Sequence, residues 1–143
     1  MLEQIDINAL PSLPHFLLKL LIDCDQEEVS IGDLAALLRQ DPALSAKVIA
    51  SASMRVQAGS ARCGLLLSAL HTLGVDEVRG IALNSALQGA TLKSAADWHE
   101  VRQRWRHAVV TARMAQALAD KIAYVDTEEA YMAGLLHDIG RNA

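Results

Sequence analysis

Three side chains near the end of the chain are of types that bind transition metals. His137 and Asp138 are adjacent and follow the apolar segment Ala133–Leu136, and His107 lies thirty residues earlier. A neutral imidazole and a carboxylate together suit a transition metal. Neighbouring residues on a helix diverge by about 100°, so the pair flanks one point only if it lies at a helix end. His107 can join it if the two helices that carry these residues pack antiparallel.

Two interpretations of this trio follow from the residues alone. In the first, His107, His137 and Asp138 hold a metal or a small ligand. In the second, they are a structural remnant: both histidines are hydrogen-bonded core residues, and Asp138 helps to close the last helical turn. Which interpretation applies depends on where the helices that carry these three side chains place them.

The composition indicates one helical domain. The chain has 143 residues, of which 52% are hydrophobic, 21% are charged and only 3% are aromatic. That length fits a single domain, and enough apolar side chain is present to exclude disorder over most of it. The apolar residues are mainly Ala and Leu, which favour helix, and no segment shows sustained alternation of polar and apolar residues. We therefore predict an all-α, multi-helix bundle of about seven helices.

The net charge, the short apolar runs and the cysteine pattern exclude several classes of function. A net charge of −4 disfavours a general nucleic-acid binder, which needs a surplus of basic residues. No apolar run approaches the ~20 residues that span a bilayer, and no secretory signal is visible. Cys24 and Cys63 form no disulfide framework or metal motif, and we expect both to be buried thiols in a reducing compartment. The expected location is cytoplasmic.

Capping residues predict where the first helices begin. Leu10–Pro14 carries two prolines, each of which pushes its predecessor out of the helical region, so we expect an extended entry segment there. Ser30 resembles the first residue of a capping box. Asp41 followed by Pro42 is typical of an N-cap with proline in the first helical position.

The later helices are predicted from glycines, acids and apolar spacing. Gly74 is expected to end a helix, and Asp76 to cap the next. A long helix is expected from about Asp97 to Lys121, and a last one from Thr127 to Gly140. The predicted buried stripe of the long helix consists of Trp98, Val101, Trp105, Ala108, Ala112, Ala115, Leu118 and Ala119.

Several short motifs, taken in order, resemble one known family. They are Leu10–Pro14 (LPSLP), Asp41–Val48 (DPALSAKV), Ala69–Gly74 (ALHTLG), Trp105–Ala108 (WRHA) and Gly134–Gly140 (GLLHDIG). Their order and spacing are similar to those of the HDOD family (HD-related output domain) of bacterial signalling proteins. That family is a divergent branch of the HD superfamily of metal-dependent phosphohydrolases. The resemblance covers about residues 8–140.

The resemblance implies an HD-domain-like bundle and a role for the trio. It implies one HDOD-like domain over residues 1–143, with an N-terminal helical subregion at about 8–92 and an HD-like helical pair at about 97–140. His107, His137 and Asp138 match the first three metal ligands of the superfamily, for which Mn, Fe or Mg would be the divalent metal. The superfamily also needs an aspartate further downstream, and this chain has none after Asp138. We therefore expect a domain shortened at its C-terminus and an incomplete site.

The function implied by the resemblance is regulatory. HDOD proteins are regarded as output or scaffolding modules, so we expect a non-catalytic signal-transduction module that acts through protein–protein or domain–domain contacts. No cofactor is expected, and the expected partner is a protein or a linked receiver or cyclic-dinucleotide enzyme domain, without membrane or nucleic acid. If the C-terminal helices of the domain are missing, we expect an exposed apolar patch along the inner side of the last two helices, which would favour homo-oligomers. The alternative is a metal-dependent phosphohydrolase acting on a nucleotide or cyclic dinucleotide through the trio.

Overall fold

The predicted all-α bundle is confirmed by a computed structural model, which describes residues 6–56, 66–89 and 95–142. Those ranges contain seven α-helices and no strand. The helices are α1 (Pro14–Cys24), α2 (Ile31–Leu38), α3 (Pro42–Arg55), α4 (Leu66–Leu73), α5 (Val75–Gly89), α6 (Ala95–Lys121) and α7 (Thr127–Leu136). Short 3-10 turns occupy Ile7–Ala9 and Ile139–Asn142. Cys63 lies outside the described residues.

Polar side chains cap three of the helices as local chemistry dictates. Ser30, Asp41 and Asp126 each precede a helix, and each side chain accepts a hydrogen bond from the backbone N–H three residues later. These bonds satisfy donors that the first helical turn would otherwise leave without a partner. Pro42 follows Asp41 at the first helical position, as predicted.

Two predicted helix boundaries need correction, whereas the predicted end of α4 at Gly74 is confirmed. Gly74 follows α4 with φ of +78°, a left-handed conformation that suits glycine. Asp76 does not cap α5, because the helix already begins at Val75 and Asp76 lies within its first turn. The last α-helix ends at Leu136 and not at Gly140. Beyond it the chain tightens into the 3-10 turn, a common way for a helix to finish.

Apolar side chains form a larger and a smaller core. The larger core draws on all seven helices and includes Leu20, Leu34, Leu38, Leu44, Leu70, Val78, Ala112 and Leu135. The smaller one surrounds the entry segment and consists of Leu10, Leu13, Ala43, Ala46, Val101 and Trp105. Cys24 is buried in the larger core as predicted, and this burial raises the pKa of its thiol. None of the described helices is long and apolar enough to cross a membrane.

The predicted stripe of α6 is wrong at one position. Leu118 is 61% exposed, whereas its neighbour Ala119 is buried. Since successive residues differ by about 100° around a helix, both cannot face the same core, and the smaller residue is the one that packs. His71 of α4 is also exposed.

Arg39, directly after α2, connects the first helices to the last two. Its guanidinium lies 4.1 Å above the ring of Tyr131 and 3.2 Å from a carboxylate oxygen of Glu128, both on α7. It also donates a hydrogen bond of 3.2 Å to Gln116 of α6. The Tyr131 hydroxyl in turn donates to the Arg39 carbonyl oxygen at 2.8 Å. These contacts fix the position of α6 and α7 relative to the rest of the bundle.

Candidate functional site

A close approach of α6 and α7 builds the candidate site. The helices run antiparallel, as their short connection requires, and Gly134 of α7 faces Ala112 of α6. A Cβ built on Gly134 would lie 2.7 Å from the Ala112 Cα and 3.1 Å from the Thr111 carbonyl oxygen. Any side chain at residue 134 would therefore force the backbones apart. Glycine here permits an approach that brings His107 to the end of α7.

The three predicted ligands are brought together by this packing. The ring centroids of His107 and His137 are 5.3 Å apart. One nitrogen from each ring and one carboxylate oxygen of Asp138 all lie within 4.8 Å of one another. His107 and His137 are exposed and Asp138 is half-buried. The prediction that the histidines are core residues in the structural interpretation is therefore wrong, because both reach solvent.

A backbone hydrogen bond orients one of the two imidazoles. The Nδ1 atom of His137 lies 2.7 Å from the carbonyl oxygen of Gly134. Since a carbonyl oxygen only accepts, Nδ1 carries a proton, and in the neutral ring Nε2 keeps its lone pair. Metal-binding histidines are commonly fixed in this way by a bond to their other nitrogen. Gly134 thus serves the site twice, through its missing side chain and through its carbonyl oxygen.

The donor set fits a divalent transition metal. Two imidazoles and one carboxylate form a ligand set that holds such ions with open positions. Ligands bound at about 2.1 Å to one ion are at most about 4.2 Å apart, so small rotations of the three side chains would suffice. Among the residues that the structure describes, no fourth His, Cys, Asp or Glu joins this cluster. The trio alone would leave several coordination positions to water or substrate.

A buried polar cluster on α3 was missed by the sequence reasoning. Asp41 is fully buried and Lys47 is 4% exposed. Lys47 Nζ donates to the Leu10 carbonyl oxygen at 2.8 Å and to Ser85 Oγ at 3.0 Å, so it ties the entry segment and α5 to α3. The signal was present in Asp41–Val48, where Asp41, Ser45 and Lys47 alternate with apolar residues. All eight residues of that run are buried.

Burial governs the ionisation of this cluster. Loss of solvent raises the pKa of Asp41 to about 8, against the opposing effects of the Leu44 N–H, the Ser12 hydroxyl and the Lys47 ammonium. The same loss of solvent lowers the pKa of Lys47, although Asp41 opposes that change. The carboxyl group is therefore largely protonated at neutral pH.

Comparison with known proteins decides the family. The model of the HDOD domain matches residues 10–143, nearly the whole chain. The chain belongs to the HDOD family. The match includes the LPSLP segment, the buried α3 cluster and the His107, His137 and Asp138 trio.

Two solved structures share this HDOD fold. The MmoQ response regulator of Methylococcus capsulatus strain Bath superposes with a TM-score of 0.75 at 24% identity, over 96% of this chain and 55% of that one. A fragment of the same protein, residues 20–298, gives a TM-score of 0.70 at 25% identity, over 93% of this chain and 50% of the fragment.

A further relative is similar in sequence. An uncharacterised protein of Treponema pallidum (strain Nichols) is 29% identical over 138 residues. The match includes 94% of this chain and 26% of that protein. The HDOD chain thus spans about a quarter of the length of this relative and about half of the length of MmoQ.

Proposed function

We propose that this HDOD chain is a non-catalytic regulatory module of bacterial signal transduction, which works in the cytoplasm by docking a helix of a protein partner or a linked signalling domain onto α6. Membership of the HDOD family supports the signalling role. The fold shared with MmoQ, a response regulator, agrees with it. The observation that carries the proposal is an apolar ridge on the outer face of α6.

The ridge consists of four large side chains spaced four residues apart. Val110, Met114 and Leu118 of α6 are 49%, 67% and 61% exposed, and Ile122, directly after the helix, is 66% exposed. At 1.5 Å per residue the ridge is about 18 Å long. Contiguous apolar surface of this kind on a soluble protein marks an interaction site, because its burial would release water from it. The sequence predicts an exposed apolar patch along the inner side of the last two helices, whereas this ridge lies on the outer face of α6.

The geometry of the ridge favours a helical occupant. Side chains at a spacing of four form the rows that pack into the grooves of another helix. Arg106 and Arg113 lie seven residues apart on one side of the ridge, both are exposed, and neither forms an ion pair with a described residue. The fitting partner is therefore an amphipathic helix whose apolar face is bordered by acidic side chains.

Site-specific crosslinking tests this docking. A photoreactive amino acid at Met114 should capture the partner in cells of the source organism. The same amino acid at Met54, which is 86% exposed at the end of α3, serves as the control position. The captured protein is then purified and its binding to the chain is measured. We expect the double variant Met114→Glu, Leu118→Glu to lose at least tenfold in affinity, and Met54→Glu to keep wild-type affinity.

The outcome also identifies the kind of partner. Capture of a second copy of this chain at Met114, together with dimers in sedimentation that the double variant abolishes, would make the ridge a self-association surface and contradict a foreign partner. Equal capture at Met114 and Met54, or binding that the double variant leaves intact, would exclude the ridge as the docking site.

A second candidate function is favoured by the His107, His137 and Asp138 trio. Its three ligand atoms lie within 4.8 Å of one another, and Nε2 of His137 is left available by the bond from Nδ1 to Gly134. A metal held there would supply a polarised water for attack on a phosphoester. The residues of the chain would hold the ion and keep one face open to solvent. On this hypothesis the chain is a metal-dependent phosphohydrolase that acts on a nucleotide or cyclic dinucleotide.

A further inference from the structure

A polar cleft between α3 and α5 has a buried lysine in its wall. It encloses about 330 Å³, near the lower end of the range for small-ligand pockets. The α3 side contributes Lys47 and Ser51. The α5 side contributes Asp76, Glu77, Gly80, Ile81, Asn84 and Ser85, which share one face of that helix.

Lys47 has hydrogen-bonding capacity that its described partners do not use. An ammonium group has three N–H donors, and the bonds to the Leu10 carbonyl oxygen and Ser85 Oγ engage two of them. Two acids, Asp41 and Asp6, act on the charge of Lys47, and burial keeps Asp41 largely protonated by raising its pKa to about 8. Asp41 therefore neutralises the positive charge of Lys47 only in part. An anionic group in the cleft would accept the third hydrogen bond of the Lys47 ammonium group and neutralise its remaining charge.

The opposite end of the cleft is acidic. Glu77 is paired with Arg55 at 2.7 Å, whereas no described residue pairs with the exposed carboxylate of Asp76. Asp76 and Asn84 are eight residues apart on α5, a separation of about 12 Å along the helix axis. The cleft thus offers a cation near Ser85 and an anion about two turns away. A simple anion would meet repulsion at the Asp76 end.

Gly80 keeps the space between these ends open. It lies midway along the α5 wall, and a Cβ built on it would meet nothing within 4 Å. The gap is therefore accessible volume and not a close helix–helix contact. A larger side chain at this position would enter the cleft without displacing other parts of the protein.

We propose that this cleft binds an elongated small zwitterion of the basic amino acid class, with its carboxylate at Lys47 and its side-chain cation at Asp76. Asn84 would hydrogen-bond the carboxylate. Ser51, between Lys47 and Arg55 on α3, would accept a hydrogen bond from the α-ammonium group. The separation of the two charged ends excludes short zwitterions such as glycine, which could reach only one of them. The inference goes beyond the docking role and does not depend on it, because it concerns a different face of the bundle. A bound amino acid would act there as an input.

Calorimetric titration of the whole chain tests the proposal with defined probes. The probes are L-arginine, L-lysine, glycine and agmatine, which is arginine without its carboxylate. We expect saturable binding of arginine or lysine at one per chain, and at least tenfold weaker binding of glycine and agmatine. Failure of both basic amino acids to bind, or equal binding of arginine and agmatine, would overturn it.

Two variants locate the binding without disturbing the core. Gly80→Leu should abolish binding and leave the helical circular dichroism and the melting temperature at or above wild type. Asp76→Asn should weaken arginine binding at least tenfold, whereas Asp33→Asn, an acid in the first turn of α2, should not change it. Retention of wild-type affinity by Gly80→Leu would place the ligand elsewhere and contradict the proposal.

Discussion

Gly134 of α7 and Ala112 of α6 approach so closely that a Cβ on Gly134 would lie 2.7 Å from the Ala112 Cα. This contact is the reason that His107, on one helix, and His137, at the end of the other, lie beside each other. The geometry of the trio therefore depends on a residue that has no side chain. Stability and site geometry should respond together when it is changed.

Gly134→Ala should destabilise the protein. The new methyl group meets backbone atoms that cannot move independently, and overpacking of this kind costs about 1–3 kcal/mol. Urea unfolding gives the free energy of unfolding directly. Gly80→Ala is the matched control, since it has open space around it and should gain up to about 1 kcal/mol from helix propensity. Equal stability of the two variants would contradict the close packing of α6 and α7.

Stability should fall as pH rises because of Asp41. Its folded-state pKa of about 8 lies above the ordinary 3.8, so the folded protein retains a proton that the unfolded chain releases. The contribution of this group to the free energy of unfolding is complete below about pH 4. Between pH 4 and 8 it is lost, and the free energy of unfolding falls by up to about 1.4 kcal/mol per pH unit. Asp41→Asn keeps an oxygen acceptor for the Leu44 N–H and removes the titration.

Urea unfolding of wild type and Asp41→Asn from pH 5 to pH 8 measures this dependence. The difference between the two free energies of unfolding should shift in favour of the variant as pH rises. A difference that stays constant across this range would show that the buried carboxyl does not titrate there.

Tyr131→Phe should cost about 1 kcal/mol. The variant removes the hydrogen bond that the hydroxyl donates to the Arg39 carbonyl oxygen at 2.8 Å in a partly buried position. Tyr124→Phe is the control, because its hydroxyl contacts Glu129 at 3.5 Å in an exposed position and should contribute almost nothing. Equal losses in thermal unfolding would mean that the link between Arg39 and α7 adds no stability.

Metal binding at the trio is tested by titration with Mn²⁺ and Fe²⁺. If the second candidate function holds, wild type binds one or two ions per chain, and His137→Ala loses at least tenfold in affinity. His99→Ala, an exposed histidine elsewhere on α6, should bind as wild type does. Absence of saturable binding by wild type would remove the basis for hydrolysis at this site.

The features that could be predicted from the sequence are those whose physical cause lies within a few residues. Ser30 and Asp41 cap helices with atoms three residues away, and Gly74 adopts its positive φ for reasons within its own turn. The meeting of His107 and His137 needed one further assumption, antiparallel packing, which their short connection supplies. Metal binding by the trio and the division of the chain at about residue 92 remain predictions.

The features that the sequence reasoning missed depend on distant partners. Lys47 is buried because Leu10 and Ser85, 37 and 38 residues away, accept its hydrogen bonds. Leu118 fits the spacing of a core stripe, yet small residues such as Ala119 pack on the inner face of α6 and leave it exposed. Spacing alone identifies a helix face, but which side chains the core accepts is set by the elements packed against it.

Complementation of a deletion strain measures the central claim most directly. The transcript profile of the source organism is compared after restoring wild type, the variant His107→Ala, His137→Ala, Asp138→Ala, or the variant Met114→Glu, Leu118→Glu. Circular dichroism first establishes that each variant is folded. A non-catalytic docking module predicts that the trio variant restores the wild-type profile and that the ridge variant does not. Restoration by the ridge variant but not by the trio variant, or a deletion without effect on the profile, would contradict the account.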